Sequence, residues 1–158
     1  MRKKGVFFAL VMCLLLAATS QGSAGPEPAP GYRELTEKFF QYVAAGKPEE
    51  GVQYLFGLNP WMMRKPDDVD KMKSQVANVT SVMGQYQGYE LIVEKSVGER
   101  LVHLSYFAYY ERQPLRFTLQ FYKPKDTWTT YGFNFDDTFN MEMMAAANLS
   151  VVMEKKEK

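Results

Sequence analysis

Apolar positions along the chain fall into three regimes. The first is an unbroken apolar run from Val6 to Ala18. From Tyr32 to Gly84 apolar residues recur three and four apart, and from Tyr89 to Phe135 they alternate with polar ones. The second regime predicts helices and the third strands, because a helix face repeats every 3.6 residues and a strand face every two.

Leu35, Phe39, Tyr42 and Val43 form one stripe of a first helix, and Gly46 suits the residue just past its end. Lys47-Pro48 restarts the chain, with Glu49 and Glu50 favouring a helix N-terminus. Val52, Leu55 and Phe56 give a short second helix ending near Gly57. Asn59-Pro60 reads as a turn, and Trp61-Met62-Met63 is expected to pack as an apolar lip. A third helix opens at Pro66-Asp67-Asp68 and carries the stripe Val69, Met72, Val76, Val79 and Met83. Gly84 and Gly88 close it.

Four strands follow: Tyr89 to Val97, Leu101 to Tyr110, Leu115 to Tyr122 and Trp128 to Phe135. Tyr131, Phe133 and Phe135 are expected on one side of the last. The turns at Gly98-Glu99, Glu111 to Pro114 and Lys123 to Asp126 are short enough to demand antiparallel neighbours. Met141, Met143, Met144 and the run Ala145 to Ala147 make residues 140–158 a helical or disordered tail ending in charge. Three N-terminal helices on a curved antiparallel sheet of about four strands is an α+β fold. That order, closed by the aromatic strand Trp128-Thr129-Thr130-Tyr131-Gly132-Phe133-Asn134-Phe135, resembles the NTF2-like superfamily, with its cystatin-like cone. The resemblance covers Tyr32 to Thr138. It implies a pocket between helices and sheet, in a superfamily that holds ketosteroid isomerases, dehydratases, binding domains and inert scaffolds, so fold alone selects no activity.

The apolar run changes the compartment. Arg2, Lys3 and Lys4 precede it and Gly22-Ser23-Ala24 follows, the three parts of a secretory signal over residues 1–24. Cleavage is expected after Ala24, with Ala18-Thr19-Ser20 as an alternative, and the protein is expected in the periplasm or outside the cell. The competing reading, a retained anchor, belongs to a membrane-bound envelope-assembly subunit. The run is shorter than the roughly 20 apolar residues a span needs. Cys13, the single cysteine, lies inside the run rather than at its end, so it reads as an apolar signal residue and not a lipid-attachment site. Residues 25–31 form a proline-rich spacer ahead of a domain over residues 32–139.

Cleavage would leave no cysteine, which excludes disulfides, thiolate nucleophiles and iron–sulfur sites. Taking Arg2, Lys3 and Lys4 from the 19 basic side chains leaves 16 against 18 acidic ones, a formal charge of −2. Such a balance does not suit a nucleic-acid binder. No residue pattern asks for a metal or cofactor. His103, the single histidine, shares a strand face with Ser105, Phe107 and Tyr109, and no nucleophile motif surrounds it. Asp136-Asp137 supplies too few oxygens for a calcium loop and reads as a strand end.

Tyr106, Tyr110, Tyr131 and Phe133 are the candidate ligand-binding residues, phenols and a ring expected inside the cone. An isomerase-like site would use such a tyrosine as an oxyanion donor beside an aspartate base. No strand from Tyr89 to Phe135 carries an inward aspartate. His103, Phe107, Tyr122 and Trp128 are the candidate interface on the opposite, open sheet face, where large aromatics need covering. The expected role is therefore non-catalytic: a small apolar ligand in the cone, or a protein partner, including a second copy, on the sheet.

Overall fold

The structure, a computed structural model, describes residues 29–147. The expected signal, its cleavage sites and the first part of the spacer lie outside the described residues, as does the end of the charged tail. Three α-helices, α1 (Tyr32–Ala44), α2 (Pro48–Gly57) and α3 (Pro66–Met83), precede four strands, with one 3-10 turn, Met62–Arg64, between α2 and α3. The strands are β1 (Tyr86–Val97), β2 (Leu101–Tyr110), β3 (Leu115–Tyr122) and β4 (Thr129–Asp136). They form one antiparallel sheet in the order β1-β2-β3-β4. The molecule is thus α+β. Among the described residues no helix is long and apolar enough to cross a membrane.

The local chemistry of the helices accounts for their bounds. The Glu34 carboxylate turns back to accept from the Gly31 N–H at the start of α1, and Pro48 and Pro66 open α2 and α3 where no N–H is needed. At the end of α3, Gly84 has φ +86°, and a Cβ there would lie 2.5 Å from the Glu111 carboxylate. The β2–β3 turn then ties off the helix: the Arg112 N–H donates to the Met83 carbonyl at 3.0 Å and its guanidinium to the Val82 carbonyl at 2.6 Å. Those are orphan carbonyls of a helix terminus, and a bound cation there also complements the dipole.

The core lies between the helices and one sheet face. Leu35, Phe39 and Phe40 of α1, Val52 and Leu55 of α2 and Val76 of α3 meet Leu104, Phe117, Leu119 and Phe121 of the sheet, all almost fully buried. The Phe117 ring lies 5.7 Å from Phe39 and 5.9 Å from Phe40, with Phe133 packed edge-on to Phe39 at 5.4 Å. These tilted and edge-to-face contacts are the arrangement ring quadrupoles favour.

Several expectations are corrected. β1 begins three residues earlier than the alternation suggests, at Tyr86. Trp61 is not packed: it is 69% exposed and carries the Arg64 guanidinium over its ring at 3.9 Å. Asn59 attaches that loop instead, its amide donating to the Thr130 carbonyl at 2.7 Å and its oxygen accepting from the Trp61 N–H. Tyr131 does not share a side with Phe133 and Phe135. Gln120 pairs with Gly132 and Phe121 with Thr130, so Tyr131 is an extra residue in a β-bulge. The bulge brings Thr130 inward, fully buried with its hydroxyl donating to the Leu55 carbonyl at 2.6 Å, and leaves Tyr131 61% exposed. Finally, the tail begins as structure. Residues 140–147 are helical, and Phe139 lies on Phe107 with ring centroids 4.5 Å apart.

Candidate functional site

The two candidate sets fare differently. Tyr106 and Tyr110 do point toward the helices, but as packing groups at 6% and 7% exposure. Tyr106 sits edge-on to Phe40 at 5.3 Å, and Tyr110 to Tyr86 at 5.6 Å. Burial pushes both phenols up to about 12, with Tyr89 and Glu94 adding to the effect on Tyr106. Phe133 is half-buried in the same layer, wedged against Phe39, Phe56 and Phe117. Tyr131 stands apart on the bulge. The four residues therefore do not surround one space.

On the other face the register places His103, Ser105 and Phe107 of β2 beside Gln120, Thr118 and Arg116 of β3, with Tyr122 42% exposed at the far end. Trp128 is not among them. It packs on the helix side, edge-on to Tyr32 at 5.0 Å, with the Lys123 ammonium 5.2 Å above its ring. Both nitrogens of His103 are engaged. The Gln120 amide lies 3.3 Å from Nδ1, and Nε2 lies 3.2 Å from the Ser105 hydroxyl. With the amide donating to Nδ1, the Nε2–H donates to Ser105. A nucleophile relay needs the reverse polarity, with the serine donating to a histidine whose other nitrogen is held by a carboxylate. Gly132 matters here, since a Cβ would stand 2.6 Å from the Gln120 amide oxygen.

Carboxylate–phenol pairs are found at the margins. Tyr32 donates to Glu94 at 2.7 Å and Arg33 to the same carboxylate at 2.6 Å. These two donors hold Glu94 below the usual carboxylate range, the phenol first and the guanidinium second. A carboxylate stabilised as the anion is a weak base, so the pair suits structure better than proton abstraction. Tyr109 donates to Glu90 on the exposed side of β1 and β2. Among the described residues no group of three His, Cys, Asp or Glu is placed to hold a metal ion.

A concave space does open between α3 and the end of the sheet. Its floor is Val79, Met83, Leu115 and Phe135, Val82 forms one wall, and its volume is about 240 Å³. Asn78, Gln75 and Asp137 supply the polar rim, and Asp136 borders it with its carboxylate turned to Arg116 on the outer face. Arg112 ties the end of α3 to the β2–β3 turn, and Leu115 and Phe135 project inward from the sheet. Asp136 is held by Arg116, whose Nη2 and Nε lie 2.8 and 3.3 Å from its carboxylate oxygens. Asp137 accepts from the Gln113 amide at 3.3 Å. Every floor residue lies on the element that its sequence period predicts, but no spacing along the chain shows that α3 and β4 meet there. An apolar floor with a few convergent polar groups is the usual form of a small-molecule site.

No family model, curated protein or solved structure matches this chain.

Proposed function

We propose that this is an exported, non-catalytic domain of the NTF2-like, cystatin-like type that binds a small apolar ligand in the cleft between α3 and the β3–β4 end of the sheet. The order of helices before a four-stranded antiparallel meander supports the fold assignment, and the cationic, apolar and small-residue sequence of residues 1–24 supports export. The observation that carries the function is the cleft itself: a floor of Val79, Met83, Leu115 and Phe135 under a polar rim. The cleft, about 240 Å³ and open to solvent, offers its apolar floor to one face of a small flat ligand. An isomerase or dehydratase would need a carboxylate base facing a sequestered tyrosine. Of the phenol–carboxylate pairs described above, Tyr109–Glu90 is exposed and Tyr32–Glu94 is part-buried with its carboxylate held as the anion, which favours binding over turnover.

The test is native mass spectrometry of the protein taken from the exported fraction. One ligand mass that is lost on denaturation, and lost from a Val82→Asp variant, is the expected result. Val82 is 54% exposed, so the substitution charges the wall without burdening the core. A ligand retained equally by that variant would contradict the reading. A second reading, a second copy docked on the sheet, is favoured by the exposure of Tyr122 and Tyr131 at 42% and 61%. Sedimentation equilibrium tests it: twice the chain mass supports it, and a monomer at all concentrations removes it.

A further inference from the structure

The two edges of the sheet are finished differently. At β4 the Asn59 amide occupies the Thr130 carbonyl, and the bulge at Tyr131 interrupts the ladder. β1 is the longest strand, at 12 residues, and pairs with β2 alone. Among the described residues no other hydrogen bond reaches its main chain. Such a row of unpaired N–H and C=O groups is a template for another strand. β1 also carries a step. Its register slips between Leu91 and Val93, so Ile92 is an extra residue and the alternation of faces reverses there. Residues paired across strands share a face. Glu90, opposite Phe107, and Lys95, opposite His103, therefore both lie on the outer face. They are five positions apart, which in an unbroken strand would put them on opposite sides. Leu91 and Glu94 both lie on the helix side, opposite Tyr106 and Leu104, and Tyr89 and Ser96 do the same opposite Ala108 and Val102. A regular strand laid on this edge would be in phase on one side of the step and out of phase on the other. A second copy of β1, antiparallel and with the two steps facing, is in phase throughout.

We propose that β1 pairs edge to edge with β1 of a second copy about a two-fold axis between Ile92 and Val93, joining the two sheets into one. In that register Glu90 meets Lys95 of the second copy, and the symmetry forms the pair twice. Lys95 is exposed and makes no ion pair among the described residues, while the exposed Glu90 carboxylate accepts from Tyr109. Val97, 70% exposed, meets Gly88, where even a Cβ would touch nothing nearer than the Tyr109 ring at 3.9 Å. Leu91, 39% exposed, meets Glu94, whose carboxylate Tyr32 and Arg33 already hold. Beside Tyr86 and Tyr89 a groove between α1 and β1 leaves the edge open from the helix side. The inference is independent of the cleft reading. It differs from a dimer through the sheet face in using the main chain of β1 rather than Tyr122 and Tyr131.

The experiment is sedimentation equilibrium of the protein taken from the exported fraction, with charge reversals on the edge. The wild-type chain is expected as a reversible dimer. Glu90→Lys and Lys95→Glu each set like charges opposite one another twice, and each is expected to weaken the dimer about tenfold. An equimolar mixture of the two variants has opposite charges at both pairs and is expected to recover the dimer. A monomer at all concentrations, a dimer that neither reversal weakens, or a mixture no tighter than its components overturns the proposal. Amide exchange reads the backbone directly: the β1 amides not bonded to β2 are expected to slow as protein concentration rises. Exchange independent of concentration overturns the proposal, and this measurement decides alone should a reversal fail to fold. Tyr122→Ser with Tyr131→Ser separates the two dimers. It is expected to leave the edge dimer intact, and loss of the dimer there assigns it to the sheet face and overturns the edge.

Discussion

The two faces of β3 differ in what they ask of a side chain. Leu115, Phe117, Leu119 and Phe121 face the helices at 0–2% exposure, while Arg116, Thr118 and Gln120 on the other side are half-buried and Tyr122 is 42% exposed. The inner face demands volume: it is filled by rings and branched chains in contact, and a missing group leaves a void that neighbours cannot close. The outer face demands partners. Its groups are matched in polar pairs, Gln120 to His103, His103 to Ser105, Arg116 to Asp136 and Glu142. Apolar packing is thus concentrated on one side of a single strand, and polar pairing on the other.

The comparison breaks most visibly under paired truncation. Phe117→Ala is expected to cost about 3–5 kcal/mol in urea unfolding, and Thr118→Ala, one residue on, no more than about 0.5 kcal/mol. Comparable losses at the two positions would deny the division. Alkaline titration sharpens it next. Tyr106 and Tyr110 are raised to about 12 from an ordinary value near 10. Their stabilising contribution is therefore whole below pH 10 and is lost as the pH rises toward 12. The urea midpoint should fall across that window, and Tyr106→Phe with Tyr110→Phe should flatten the fall; an identical slope in the double variant would mean these phenols are not sequestered. Thr130→Val is expected to cost about 1 kcal/mol, because the inward turn at the bulge loses its hydrogen bond to Leu55. The smallest effect belongs to the margin. Glu94 is depressed by Tyr32 and Arg33, so its contribution is present above the ordinary carboxylate value and lost as pH falls through the folded one. Glu94→Gln should remove about 0.3 kcal/mol at neutral pH and make the acid limb shallower.

The same contrast explains how far the sequence could be read. Side-chain period reports burial, so the stripe Leu35, Phe39 and Val43 and the alternation from Leu115 to Phe121 were legible, and with them the helices, the meander and the α+β class. Tyr131 was misplaced because one bulged residue exchanges the two faces beyond it. Gly132, a lone glycine inside a strand pattern, was the signal for that bulge. Trp128 went to the wrong side because it stands just before β4 rather than in it. The cleft and the Arg116 fork were not legible at all. Val79 meets Phe135, and Arg116 meets Glu142, only through the way α3 and the residues after β4 lie across the sheet, and no spacing along the chain encodes that.

Binding in the cleft is tested most directly by methyl-labelled NMR of the full chain titrated with indole, a molecule of suitable size. The account predicts saturable shifts confined to the methyls of Val79, Val82, Met83 and Leu115, abolished by Val82→Asp, with the methyls of Leu104 and Leu119 unmoved. Shifts scattered over the surface, or a silent cleft at saturating indole, would contradict it.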